Sequence, residues 1–235
     1  MSIKAILFDL DGTLLPMDLE VFIGEYFKRI SSKLAPFGYE PKQFIDTILK
    51  GTAAMIMNNG ECVNEEAFWK TAQSVYGDKV LEDKKQFDIF YETEFDKIKS
   101  VCGYTPKAKE CVEGLKNMGY KIALATNPIF PEIATRKRME WAGLEWEDFE
   151  FFTTYENINY CKPNPKYYTE VAARIGCEPQ ECLMVGNDVG DDMPAANIGM
   201  KVFLLTDCLI NSKNEDITKY PSGSFEEMME YIKTL

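Results

Sequence analysis

Asp9 and Asp11 flank Leu10 where the apolar run from Ile3 to Phe8 gives way to a polar loop. In extended backbone, side chains two residues apart point the same way, so the two carboxylates face one place. Like charges so close repel each other. A hard divalent cation such as magnesium relieves that repulsion, because it takes oxygen ligands, keeps several waters and binds substrate phosphate oxygens. Gly12 permits an unusual turn and Thr13 adds a hydroxyl beside the loop. Read in isolation, the string is more simply a solvated Asp-x-Asp-Gly turn, since acidic turns are common.

Three more stretches bring polar groups to the ends of apolar runs. Thr126-Asn127-Pro128 follows the run 121–125, although a threonine at that place also serves as a helix cap. Lys162 stands in Cys161-Lys162-Pro163-Asn164-Pro165, whose prolines restrict the backbone and fix where the lysine leaves the chain. Gly186-Asn187-Asp188-Val189-Gly190-Asp191-Asp192 puts carboxylates after one strand and before a helix, where acids also complement the helix dipole.

The elements that must position these groups are short. Residues 3–8, 121–125, 181–185 and 201–205 are apolar, each ends at a polar loop, and each reads as a buried strand. Helical patterns lie between them at 106–118, 130–142 and 165–175, closed by Gly119, Gly143 and Gly176. Alternating strands and helices imply an α/β fold with a Rossmann-like parallel sheet, whose ligands bind beyond the carboxyl ends of the strands. Residues 16–100 carry long amphipathic patterns without a buried strand. The expected organisation is a core of residues 1–15 and 101–235 and a helical cap of residues 16–100.

The string Phe8-Asp9-Leu10-Asp11-Gly12-Thr13 resembles the first motif of the haloacid dehalogenase-like hydrolases. The resemblance extends over about residues 3–205 and adds the other three stretches in the family's order. It implies that Asp9 attacks phosphorus to form an aspartyl-phosphate, and that Asp11 is the acid for the leaving group and then the base for water. Members that cleave carbon–halogen bonds usually lack the second aspartate, so phosphoryl transfer is expected. Thr126 and Asn127 resemble the second motif, which binds the phosphoryl group through a hydroxyl and a backbone amide. Lys162 resembles the third, which screens nucleophile and phosphate from each other. The fourth departs from its commonest pattern, because Asn187 stands where an aspartate usually follows the glycine. Asp188 with Asp192 gives one family spacing and Asn187 with Asp192 another. We read Asp9, Asp11 and Asp188 as the residues that hold Mg2+, Asp192 as support, and Asp191 as a substitute. The stretch Arg138, Trp141, Ala142, Gly143 and Leu144 resembles the helix after the second motif and reads as structural.

Composition sets the surroundings. With 46% hydrophobic residues in a 235-residue chain there is enough apolar material for a buried interior. A net charge of −12 disfavours nucleic acid and anionic membranes as partners, and it requires a local cation to draw in a phosphorylated substrate. The chain has no histidine, and its seven cysteines lack zinc-module spacing, which leaves them as reduced thiols. No stretch approaches a membrane span, and a cytoplasmic location is expected.

The expected activity is magnesium-dependent hydrolysis of a small phosphorylated metabolite. The rivals are a phosphosugar mutase, which uses the same core residues, and a noncatalytic phosphate-ligand binder. Phe22, Tyr26, Phe27, Phe44, Phe68 and Trp69 are the aromatic candidates for cap contacts, but aromatics at helical spacing are mostly core. None is assigned to substrate.

Overall fold

A computed structural model describes residues 2–235. Six strands form one sheet: β1 (Ala5–Phe8), β2 (Lys121–Leu124), β3 (Phe151–Phe152), β4 (Cys182–Gly186), β5 (Lys201–Leu205) and β6 (Ser222–Gly223). Their order is β3-β2-β1-β4-β5-β6, and every pairing is parallel. This is the expected α/β architecture. β3 and β6, two residues each, were not anticipated, since a two-residue strand carries no periodicity.

β1 lies at the centre and all four of its residues are buried. Its side chains alternate between two apolar layers: Ile6 and Phe8 pack into one, Ala5 and Leu7 into the other. Phe8 is level with Leu124 on one side and Val185 on the other. The register therefore brings Asp9, Ala125 and Gly186 out together, and the bonds from Asp9 N to Val185 O (2.9 Å) and from Ala125 N to Phe8 O (2.7 Å) carry it just past the strand ends.

After β1 come α1 (Leu19–Leu34), α2 (Pro41–Ile56), α3 (Asn64–Tyr76), α4 (Lys79–Glu82) and α5 (Lys84–Thr93), with 3-10 stretches at Ala35–Phe37 and Phe95–Val101. Asp18 starts α1 by accepting from Glu20 N and Val21 N at 3.0 and 3.1 Å. The chains entering and leaving this helical segment run side by side, with Met17 bridged to Cys102 and Gly103 N bonded to Pro16 O at 2.7 Å. The remaining helices are α6 (Pro106–Asn117), α7 (Glu132–Trp141), α8 (Pro165–Arg174) and α9 (Phe225–Ile232). Asn164 caps α8 and Pro165 occupies its first turn, so the helix begins directly after the Lys162 loop.

An aromatic cluster locks the helical segment onto α7. Phe95 is fully buried, stacks on Trp141 with centroids 5.1 Å apart, and meets Phe22, Tyr26 and Phe90 edge-on at 6.2–6.4 Å. Such rings add their pair geometry to the apolar area they bury. Phe95→Ala should cost about 3–5 kcal/mol in urea unfolding, the loss for a truncated buried aromatic. An unchanged midpoint would show that the segment is anchored elsewhere.

Candidate active site

The polar ends of β1, β2 and β4, with the loop before α8, open on one cavity of about 270 Å3, lined by Asp9, Asp11, Thr126, Asn127, Lys162, Asn187, Asp188, Asp191 and Asp192 among others. Asp9 and Asp192, 183 positions apart in sequence, meet here because the parallel register levels the strand ends.

Lys162 is the hub. Its ammonium donates to Asp9 Oδ1 at 2.8 Å and to Asp192 Oδ1 at 2.6 Å, and the side chain is almost wholly buried. Burial works against its charge, but the carboxylates of Asp192 and Asp9 outweigh it and hold the lysine well above its ordinary pKa. One cation is thus shared between two acids. Asp192, buried and with Lys162 only partly offsetting that burial, is raised to about 7. Its other oxygen accepts from Asp188 N at 2.9 Å, which ties the loop after β4 to the lysine.

Asp9 Oδ2 accepts from Thr13 Oγ1 at 3.2 Å, and the same hydroxyl lies 2.8 Å from Asn187 Oδ1. Asn187 Nδ2 reaches Cys208 O at 2.7 Å, so Asn187 braces the first loop against the loop after β5. It does so by close approach: Gly12 has φ +82°, and a Cβ there would stand 2.4 Å from Asn187 Nδ2. Gly186 is constrained from the other side, since a Cβ would meet the Asp192 carboxylate at 2.0 Å.

Thr126 is buried, and its carbonyl accepts from Tyr167 Oη at 2.7 Å and Thr153 Oγ1 at 2.6 Å. Those two bonds fix the backbone of a residue that lines the cavity. The Asn127 side chain is engaged elsewhere: Oδ1 accepts from Lys162 N at 3.3 Å and Nδ2 donates to Asp191 Oδ2 at 3.1 Å. It joins three loops. Asp188 Oδ1 accepts from Gly190 N (2.7 Å) and Asp191 N (3.1 Å), shaping its own turn. Burial raises the Asp191 carboxyl above the ordinary range.

Arg138 is the partner that sequence reading passed over as structural. It projects from α7, is fully buried, and pairs through Nη1 with Asp11 Oδ2. Its guanidinium also reaches Thr135 Oγ1 at 3.3 Å and lies 4.6 Å over the Phe130 ring. Burial raises the Asp11 carboxyl, and Arg138 opposes that rise. The other Asp11 oxygen, Oδ1, is buried without a hydrogen-bond partner.

That orphaned oxygen bears on the metal. An all-oxygen donor set suits a hard cation, and Asp11 Oδ1 is an acceptor that lacks a donor in the chain. No three acidic or thiol groups among the described residues converge tightly enough to enclose an ion unaided. A cation that keeps waters and takes substrate oxygens needs no such cage.

Two outcomes follow from the Lys162 network. Lys162→Met strands Asp9 and Asp192 without a cation and should cost about 3–5 kcal/mol in urea unfolding, the usual loss when one partner of a buried pair is removed; a loss below half of that would show water reaching both acids. The second concerns pH. With Asp192 raised to about 7 from an ordinary 3.8, the folded chain holds a proton between those values that the unfolded chain has released. Stability therefore falls as pH rises through that window. Measured with chelator present, the fall should be shallower in Asp192→Asn, and equal slopes would refute the raised value.

Comparison with known proteins identifies the family. The family model for haloacid dehalogenase-like hydrolase matches residues 3–199. Glyceraldehyde 3-phosphate phosphatase of Methanothermobacter thermautotrophicus is 21% identical over 234 residues, spanning 92% of each chain. A crystal structure described as a predicted phosphoglycolate phosphatase from Haemophilus somnus superposes with TM-score 0.61 at 21% identity, covering 98% of both chains. YfnB of Bacillus subtilis, a HAD-hydrolase described as bound to magnesium, superposes with TM-score 0.56 at 16% identity, covering 99% of both. With its family model matched across most of its length and its polar strand ends gathered on one cavity, the chain belongs to the haloacid dehalogenase-like hydrolases.

Proposed function

We propose that the protein is a magnesium-dependent phosphatase that hydrolyses a small phosphorylated metabolite through an aspartyl-phosphate on Asp9. The observation that supports this most is the Asp9 carboxylate, held at the central strand end by Lys162 and Thr13 and opening on the cavity that Asp11 and Thr126 also line. A phosphoryl group needs positioned donors and cations around it rather than a strong base.

In this reading Asp9 attacks phosphorus and the ester P–O bond breaks. Asp11 gives its proton to the departing oxygen. A water then gives a proton to Asp11 and attacks phosphorus, breaking the bond to Asp9 and releasing inorganic phosphate. Burial raises the proton affinity of Asp11, which suits an acid, while the Arg138 pair fixes its orientation. Thr126, the Asn127 backbone amide and Lys162 bind the phosphoryl oxygens. Asp9 and Asp188 would hold the magnesium ion, joined by Asp11 once its proton has gone to the leaving group, and Asp192 supports Asp188 by accepting from the Asp188 backbone amide. When bound, the metal supplies positive charge that screens nucleophile and phosphate from each other. That local charge also offsets the repulsion of a chain of net charge −12.

The division into a hydrolase core of residues 1–15 and 101–235 and a helical cap of 16–100 belongs to the same proposal, with the cap excluding water during turnover. No helix among the described residues is long and apolar enough to cross a membrane. All seven cysteines are free, as a reducing cytoplasm favours.

The test is phosphate release from phosphorylated metabolites with magnesium, with chelator, and with variants. Asp9→Asn should abolish release while circular dichroism stays unchanged, and Asp11→Asn should lower kcat by about 10²–10⁴-fold, the span of general acid–base catalysis. Turnover retained by Asp9→Asn would falsify the mechanism. Labelled phosphate found on an isomeric sugar would identify a mutase instead.

A further inference from the structure

A second cavity, of about 230 Å3, lies between the helical segment and the sheet-bearing core. It adjoins the first, because Ile23, Ile129 and Phe130 line both. Phe130 is held in place by Tyr26 at 5.3 Å and by the Arg138 guanidinium. Ile23 and Ile129 are only half-buried, which leaves them as the adjustable part of the boundary.

The chemistry of the walls is one-sided. Beyond the boundary, Phe27, Ile48, Phe68 and Trp69 face the space, and the hydroxyls of Tyr26 and Tyr91 satisfy each other at 2.9 Å. The single charged residue is Asp88, an acid. In the catalytic cavity the single cation is Lys162, already shared by Asp9 and Asp192. The next cations outward, Lys84, Arg136 and Lys137, line an outer cavity and are each paired with a carboxylate, Glu65, Glu132 and Asp96. A second anionic group on the substrate would thus meet no free positive charge on its way out from the phosphate.

An apolar pocket continuous with reacting groups is where a ligand's non-reacting part binds. We infer that this cavity receives the leaving group, and that the preferred substrates are phosphate monoesters of uncharged alcohols with a substantial apolar or aromatic body. The inference rests on the phosphatase reading and narrows it, since a phosphate ester with a carboxylate close by is disfavoured.

The experiment uses the full chain with magnesium and three aryl phosphates of similar leaving ability: phenyl, 2-naphthyl and 4-carboxyphenyl phosphate. The expected kcat/KM for 2-naphthyl phosphate exceeds that for phenyl phosphate by about tenfold, the ratio that roughly 1.4 kcal/mol of extra apolar burial gives. The 4-carboxyphenyl ester should fall below the phenyl ester. Thr52→Trp, which adds bulk from α2 into the cavity, should erase the naphthyl preference. Equal rates for the three esters, or a preference for the carboxylated one, overturn the inference and leave the phosphatase reading intact. Release from none of them, nor from the wider metabolite panel, overturns both.

Discussion

The Lys162 ammonium between Asp9 and Asp192 is the constraint on which the rest of the site depends. A buried lysine keeps its charge only where carboxylates outweigh its desolvation, and two buried carboxylates ionise together only where a cation lies between them. Each of the three groups makes the burial of the others possible. They come from the loop after β1, the loop before α8 and the loop after β4, so this one contact holds three separate turns in register. Asn127 and Asn187 repeat the device without charge, joining neighbouring loops through amide groups that can donate and accept at once.

Much of this arrangement was legible in the sequence because strand ends in a parallel sheet converge by construction. The central strands at 5–8, 121–124, 182–186 and 201–205 are apolar runs too short for helices, and the polar residues after each had to come out on one edge. Arg138 was not legible. It lies on a helix whose pattern reads as packing, and its partner Asp11 is 127 positions away. Nothing local distinguishes an arginine that covers a surface from one buried against an acid. A surplus did offer a signal: Arg136, Lys137 and Arg138 are consecutive, and three successive positions sweep about 200° of a helix, which brings one of them close to the buried side.

The helical segment shows the same limit in another form. Its amphipathic stripes announced helices, and α1, α2, α3 and α5 are there. Of the aromatics singled out, Phe22, Tyr26, Phe44 and Trp69 are buried in the core, yet Tyr26 and Trp69, with the partly buried Phe27 and Phe68, also border a space. Periodicity reports which side of a helix is apolar. It does not report whether the facing surface closes against it, because that is set by the angle and distance between whole elements.

The insertion between β1 and β2 has a consequence for how the chain is made. β1 leaves the ribosome more than a hundred residues ahead of Lys121–Leu124, its first partner in the sheet. At about 5–20 residues per second, a bare apolar strand waits for several seconds with both edges unpaired. Such strands are templates for association with other chains, and charges at their ends are the usual protection. Asp9 and Asp11 directly follow this one. The two acids that shape the site therefore guard the nascent strand long before there is a site to shape.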